Sequence, residues 1–217
     1  MPEDHVHRAP LVDQSEPPRP RTVRARHAAS IIVLRPNGGD PHMLMGMRGA
    51  RHRFMPNRLV FPGGAVDRAD LAAPAKSPPP PHTLRRLRRT ANEHLAHGLV
   101  IAAARELEEE TGLSLGAPPH LDGIEYLCRA VTPPSNPIRF NARFLLVHED
   151  RVSGTLGGDG ELDNLRFYGT HEALALDLAM PTRMVIERLR IWLAMSRDEQ
   201  VALTHTPILR RHAWQME

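Results

Sequence analysis

The sequence predicts an α/β (α+β) protein of one domain, and three observations support this class. Short apolar runs rich in β-branched residues, such as AASIIVL at residues 28–34, end at clusters of Gly, Pro, Asn and Asp, as strands do. Longer stretches with helical spacing of apolar residues, such as residues 99–111, alternate with them. A chain of 217 residues that is 41% hydrophobic is long enough to bury one core.

The elements follow one another in mixed order. The first strand leads through the turn RPNGGD to a hairpin partner at residues 41–48. A third short strand at residues 59–61 is ended by Pro62-Gly63-Gly64, and Gly112 supplies the positive φ that ends a helix. The remaining predicted elements are helices at residues 84–92 and 99–111, strands at 126–131, 139–147 and 165–168, and only helices from residue 172 onward.

Residues 1–26 form a polar segment with prolines and arginines, so we predict a disordered tail and a folded domain over residues 27–217. The tail lacks the apolar core of a secretory signal, and no run of 18 apolar residues occurs that would span a membrane. Cys128 is the only cysteine, which excludes an internal disulfide and a four-cysteine zinc site. These features favour a cytoplasmic protein.

The basic residues give little indication of a nucleic-acid partner. The formal net charge is only +3, and all basic residues except Lys76 are arginines. The cluster LRRLRR at residues 84–89 carries no interleaved aromatic residues, so a solvated helix face is the favoured interpretation. A small-molecule partner is therefore expected rather than nucleic acid. The sequence is compatible with either a monomer or a homodimer.

The stretch AARELEEETGL at residues 103–113 crowds acidic residues onto a predicted helix. Glu106, Glu109 and Glu110 stand at positions i, i+3 and i+4, which lie on one helix face and repel one another. Carboxylates that converge in this way are hard oxygen ligands for Mg²⁺ or Mn²⁺, and a bound cation cancels the repulsion. A solvated acidic face is the alternative, and the spacing alone does not exclude it.

The wider pattern resembles the Nudix box. RELEEETGL at residues 105–113 is similar to the second half of that motif at every defined position, and FPGGAVDRAD at residues 61–70 is similar to the first half. Gly64 and Asp70 stand where the family has a glycine and an acid, with Asp in place of the usual Glu. Between Asp70 and Arg105 this chain has 34 residues where the family has seven, so a Pro- and Arg-rich insertion at about residues 71–98 divides the box.

A divided box is typical of the peroxisomal coenzyme A diphosphatase branch of the Nudix superfamily, which this chain resembles most. The motif associated with coenzyme A hydrolysis is similar to residues 44–64, where Arg48, Arg53 and the FPGG segment are in register. Departures from that motif occur at Met45, Gly46, Gly49 and Asn57.

The resemblance implies a Nudix fold: a mixed β-sheet sandwiched between helices, with the box as a loop–helix–loop. It implies a metal-dependent hydrolase of nucleoside diphosphate derivatives, with coenzyme A or acyl-coenzyme A preferred. The alternatives are an ADP-ribose or dinucleotide pyrophosphatase and a non-catalytic nucleotide-sensing module. The implied residues are catalytic Arg105, Glu106, Glu109, Glu110 and Glu161; metal-binding Glu106, Glu109, Glu110 and Gly64; and substrate-binding Arg48, Arg53, Gly63 and Gly64.

Overall fold

A computed structural model describes residues 23–49, 57–158 and 160–217. The main sheet has the strand order β11-β10-β6-β7-β1-β2-β3, with β4 paired to β1 and β9 paired to β2. The β1–β7 and β10–β6 pairs are parallel and the others are antiparallel, so the sheet is mixed. The strands are β1 (Arg26–Arg35), β2 (His42–Arg48), β3 (Leu59–Val60), β4 (Gly63–Ala65), β5 (Leu113–Ser114), β6 (Glu125–Val131), β7 (Phe140–His148), β8 (Ser153–Gly154), β9 (Leu162–Gly169), β10 (Pro207–Arg210) and β11 (Ala213–Met216).

Helices cover both faces of this sheet, which confirms the predicted fold class. Alternation along β1 turns Ile31 and Val33 towards one core and Ile32 and Leu34 towards the other. The first core lies under α2, and the second lies under α4. The helices are α1 (Pro81–Leu87), α2 (Glu93–Thr111), α3 (Thr170–Ala175), α4 (Met180–Leu193) and α5 (Arg197–Ala202), and β5 and β8 form a separate two-stranded sheet.

Helix α2 carries the acidic residues of the predicted box. Its N-terminus is capped by Asn92, whose side chain accepts a hydrogen bond of 2.9 Å from the backbone N–H of Leu95. Its C-terminus is capped by Gly112 at φ 72°, as the sequence predicts. A side chain at this glycine would also approach Thr155 O to 2.6 Å. The helix begins at Glu93, six residues before the predicted start.

The segment between Asp70 and α2 packs more closely than predicted. Helix α1 ends at Leu87 rather than at residue 92. The solvated face assigned to the arginine cluster is wrong for Arg86, which is 1% exposed. Its guanidinium lies 5.2 Å from the ring centroid of Tyr126 and donates to Thr206 Oγ1 at 3.3 Å. This segment is therefore fastened to the sheet and is not merely an exposed connection.

Two other predictions need correction. The strand predicted at residues 59–61 does end before Pro62, but the Gly63-Gly64 pair then lies within a further strand, β4, where Ser30 pairs with Gly63 and Ala29 with Gly64. The C-terminal region was expected to be helical, but it ends in the β10–β11 hairpin. Long-range pairing with β6 holds this hairpin in place, and that contact leaves no local signal in the sequence. Predicted tail residues 1–22 lie outside the described residues, and β1 already begins at Arg26.

Candidate active site

The acidic residues of α2 lie at one end of a cavity of about 870 Å³. The cavity lies between the main sheet, the last turns of α2 and the beginning of α4. Glu106, Glu109 and Glu110 line it together with Gly63 and Gly64 of β4. Strand β4 lies beside this part of α2, so the two halves of the predicted box meet in space.

Arg105 joins the two halves through all five of its N–H groups. It binds Asp70 with two donors, Nε to Oδ1 and Nη2 to Oδ2, both at 3.1 Å. It also donates to Ala65 O at 3.1 Å, to Glu106 at 2.9 Å and to Glu109 at 2.8 Å. Asp70 is only 2% exposed, so its charge depends on this paired contact. Hydrogen bonding to Asp70 raises the pKa of Arg105, which stays charged.

Glu106 lies directly against the backbone of β4. A Cβ placed on Gly64 would overlap Glu106 Oε1, so only glycine leaves room for the carboxylate here. Burial raises the pKa of Glu106, and the charges of Glu109 and Glu161 raise it further, while Arg105 opposes them. The carboxylate is thus held in place by Arg105 and lies near other carboxylates.

Glu110 is the most buried of the three box glutamates, at 2% exposed. Its Oε2 accepts a hydrogen bond of 2.8 Å from the backbone N–H of Gly63, and Arg48 Nη2 lies 3.9 Å from Oε1. Burial nevertheless raises the pKa of Glu110 to about 8, and nearby Glu106 and Glu161 add to the shift. A buried carboxylate among other carboxylates favours a cation beside it.

Glu161 comes from the loop before β9, far from the box in sequence. It lines the same cavity and is close enough to raise the pKa values of both Glu106 and Glu110. The sequence offers three other acids for the role of general base, Glu149, Asp159 and Asp163. Glu149 pairs instead with Arg35 at 2.5 Å, Asp163 lies in β9 and does not line the cavity, and Asp159 lies outside the described residues. The sequence-based choice of Glu161 thus corresponds to an acid at the cavity.

Of the two arginines predicted to bind substrate, only Arg48 is among the described residues. Arg48 lies in the cavity beside Glu110. Arg53 lies outside the described residues, so its predicted contact with substrate stays a prediction.

The chemical type of the available ligands suits a divalent cation, because the carboxylate oxygens of the box glutamates are the ligands that Mg²⁺ and Mn²⁺ prefer. Among the described residues, however, no three His, Cys, Asp or Glu side chains already surround a single point. Glu109 is about half exposed and its carboxylate binds Arg105, while that of Glu110 accepts from Gly63. The gathering of Glu106, Glu110 and Glu161 at one end of the cavity is the observation that favours a cation there.

The middle of the cavity is lined mainly by apolar residues, which the sequence analysis did not predict. Its floor is a row of small residues on neighbouring strands, in which Ala28 pairs with Ala142 and Ala142 with Ala130. Phenylalanines form the walls, with the rings of Phe61 and Phe144 edge to face at a centroid distance of 6.3 Å. The sequence alone does not show that these small residues are neighbours, because this depends on the register of the strands. The other apolar lining residues are Val60, Val131, Pro133, Pro137, Ile138, Phe140, Met180, Pro181 and Leu209.

A substitution at Gly64 tests the close approach to Glu106. Gly64→Ala should lower kcat by about tenfold or more, because the new methyl displaces the Glu106 carboxylate. The melting temperature should change little, since the displaced atoms end a flexible side chain. Gly39→Ala is the matched control, as a Cβ there meets nothing within 4 Å. Normal turnover of Gly64→Ala would show that the position of Glu106 is unimportant.

Comparison with known proteins gives one curated relative and several structures. No protein-family model matches the chain. Over 88 residues the chain is 39% identical to "Putative nudix hydrolase 7" of Caenorhabditis elegans, a match that covers 41% of this chain. The match covers 22% of the relative, so the matched residues span about a fifth of that protein's length.

The structural matches extend over most of the chain. A NUDIX hydrolase from Alicyclobacillus acidocaldarius has a TM-score of 0.60 and 25% identity, over 76% of this chain and 90% of its own. The NUDIX domain of Shewanella oneidensis NrtR, in complex with ADP-ribose, has a TM-score of 0.51 and 17% identity, over 81% and 94%. The mixed sheet between helices is thus the Nudix fold, and the first two similarities are to Nudix hydrolases.

Proposed function

We propose that this chain, which has the Nudix fold, is a metal-dependent hydrolase that cleaves the diphosphate linkage of nucleoside diphosphate derivatives. The observation that carries the proposal is the position of Glu106, Glu110 and Glu161 at one end of a cavity of about 870 Å³. A cavity of that size accommodates a nucleotide-sized ligand. Its acidic end requires a cation, because a diphosphate would otherwise be repelled by these carboxylates.

In this proposal Glu106, Glu109 and Glu110, with the backbone carbonyl of Gly64, hold Mg²⁺ or Mn²⁺. When bound, such a cation neutralises the diphosphate oxygens and lowers the pKa of a nearby water. Glu109 reaches this role by leaving its contact with Arg105, which keeps its bonds to Asp70 and Glu106. Arg105 thereby positions Glu106 from outside the cavity.

Glu161 is proposed as the general base. Its carboxylate accepts a proton from the water that attacks one phosphorus atom, while the bond from that phosphorus to the bridging oxygen breaks. The second phosphate leaves with the bridging oxygen. Arg48, beside Glu110, is the cationic side chain placed to bind a diphosphate oxygen, and the backbone of Gly63 and Gly64 allows a close approach.

Coenzyme A or acyl-coenzyme A is the proposed preferred substrate, with adenosine 3′,5′-bisphosphate and a 4′-phosphopantetheine as products. The register of Arg48, Arg53 and FPGG with the coenzyme A motif supports it, as does the apolar cavity wall. ADP-ribose or a dinucleotide is the second candidate, because Met45, Gly46, Gly49 and Asn57 depart from that motif. A module that binds nucleotides without cleaving them is the third, disfavoured because all three box glutamates are present.

The decisive experiment is a substrate panel with products resolved by mass. Coenzyme A, ADP-ribose, NADH, capped nucleotides and deoxynucleoside triphosphates are incubated with Mg²⁺, with Mn²⁺ and with EDTA. We expect diphosphate cleavage that EDTA abolishes, with coenzyme A turned over most efficiently. If only ADP-ribose is turned over, it takes the place of coenzyme A as the proposed substrate. Turnover that does not need metal, or no turnover of any compound, would contradict the proposal.

The location proposed for this reaction is the cytoplasm, in keeping with a single cysteine that is buried. None of the helices in the described parts of the chain combines the length and apolarity needed to cross a membrane. A homodimer is compatible with the proposed reaction but is not needed for it, since the cavity is lined by one chain.

A further inference from the structure

We propose that the end of the cavity remote from the glutamates binds a second anionic group of the substrate, a phosphate monoester, through Arg26, Arg211 and His212. This inference rests on the proposed function, since it concerns the same cavity and the same ligand. It assigns specificity to the C-terminal hairpin, which has no counterpart in the sequence motifs.

The hairpin presents two basic side chains from a constrained turn. Arg210 pairs with Ala213, so Arg211 and His212 alone connect β10 to β11. Both have positive φ, 47° and 68°, the combination of a type I′ turn. Such turns favour Asn and Gly, and larger residues adopt them at a cost. Two basic residues at these positions, both lining the cavity, point to a function for their side chains.

Arg26 approaches the same end from β1. It stands four residues before Ser30 on one face of the strand, and Ser30 is opposite Gly63 at the acidic end. At about 3.3 Å per residue, Arg26 lies roughly 13 Å along the strand from that point. The two phosphorus atoms of one diphosphate are far closer together than this. A single diphosphate therefore cannot occupy both ends, and a ligand that places an anionic group at each end carries a second anionic group.

The charges at this end are available for a ligand. Within the described residues no carboxylate forms an ion pair with Arg26 or Arg211, whereas the neighbouring Arg210 lies 3.8 Å from Glu217. The cavity is thus acidic at one end, apolar in the middle and basic at the other. Such a distribution suits a nucleoside in the middle, a cation-bound diphosphate at the acidic end and a phosphate monoester at the basic end.

The test uses a variant that removes the basic groups and keeps the turn. Arg211→Asn with His212→Gly installs Asn-Gly, the pair that type I′ turns prefer, so the hairpin should fold at least as well. Binding of adenosine 3′,5′-bisphosphate, adenosine 2′,5′-bisphosphate and adenosine 5′-monophosphate is measured by calorimetry without metal. We expect the wild type to bind one bisphosphate about tenfold or more tightly than the monophosphate, and the variant to lose this preference.

Arg210→Ala is the matched control, because it removes a hairpin arginine that does not line the cavity and should keep the preference. Arg26→Ala should weaken the preference partly. Equal binding of the bisphosphates and the monophosphate by the wild type would overturn the inference, and so would an unchanged preference in the Asn-Gly variant. Because binding is measured without turnover, this result is independent of the substrate panel that tests the proposed function.

Discussion

Glu110→Gln is expected to lower kcat by at least about 10²-fold and to leave the fold intact. The substitution removes one charged oxygen ligand from a site whose proposed task is to hold a cation against the diphosphate. The fold should tolerate it, because Gln keeps an oxygen that can accept from the backbone N–H of Gly63. The metal-free variant should even be more stable, since the carboxylate of Glu110 is buried beside Glu106 and Glu161.

Glu108→Gln is the matched control on the same helix. Glu108 faces away from the cavity and accepts a hydrogen bond of 3.0 Å from Ser114 Oγ, so its neutralisation should leave kcat close to that of the wild type. Steady-state kinetics at saturating Mg²⁺ and thermal unfolding in EDTA measure the two effects separately. A Glu110→Gln enzyme with near-normal turnover would remove this carboxylate from the proposed metal site.

Arg105→Ala is expected to destabilise the protein by about 3 kcal/mol. Loss of the guanidinium leaves the carboxylate of Asp70, 2% exposed, without its cationic partner. Breaking a buried ion pair from one side costs roughly 3–5 kcal/mol, and we take the lower end because Arg105 is itself 27% exposed. Urea denaturation should show a lower midpoint with an unchanged slope.

A second substitution distinguishes the lost pair from a general packing defect. In Arg105→Ala with Asp70→Asn the buried charge is gone as well, so the loss should be smaller than the sum of the two single losses. Arg88→Ala is the surface control, since its pair with Glu93 is largely exposed and should contribute about 1 kcal/mol or less. Strictly additive losses would mean that Arg105 and Asp70 do not depend on each other.

The parts of the fold that follow from local patterns were predictable. The strand of residues 28–34 carries its own β-branched run, and Gly112 marks the end of α2 because no other residue adopts its φ as readily. The β10–β11 hairpin was not predictable, because its turn, Arg211-His212, lacks the Asn or Gly that signals such turns. The burial of Arg86 depends on Tyr126 and Thr206, which are distant in sequence.

The candidate site likewise has features that local sequence patterns predict and features that depend on residues distant in sequence. The positions of Glu106 and Glu110 follow from helical spacing, and the box motif locates Gly63 and Gly64 beside them. The five-fold bonding of Arg105 was only partly foreseen, because its link to Asp70 crosses 34 residues of chain. The basic end was not predicted, because Arg26 and Arg211 lie at the same end of the cavity only through the register of the sheet, in which β6 and β7 separate β1 from β10.

The bond between Asp70 and Arg105 has a consequence for chain length. In polymer terms, the 34 residues between them form a loop whose ends are tied, and the entropy of closing a loop grows only with the logarithm of its length. A loop of this length costs about 1.4 kcal/mol more to close than a seven-residue one. Lengthening it by a further residue or two changes that cost by roughly a tenth of a kcal/mol or less. The exposed side chain of Lys76 is therefore suitable for attaching a label, provided that the backbone hydrogen bond from its N–H to Pro119 O is kept.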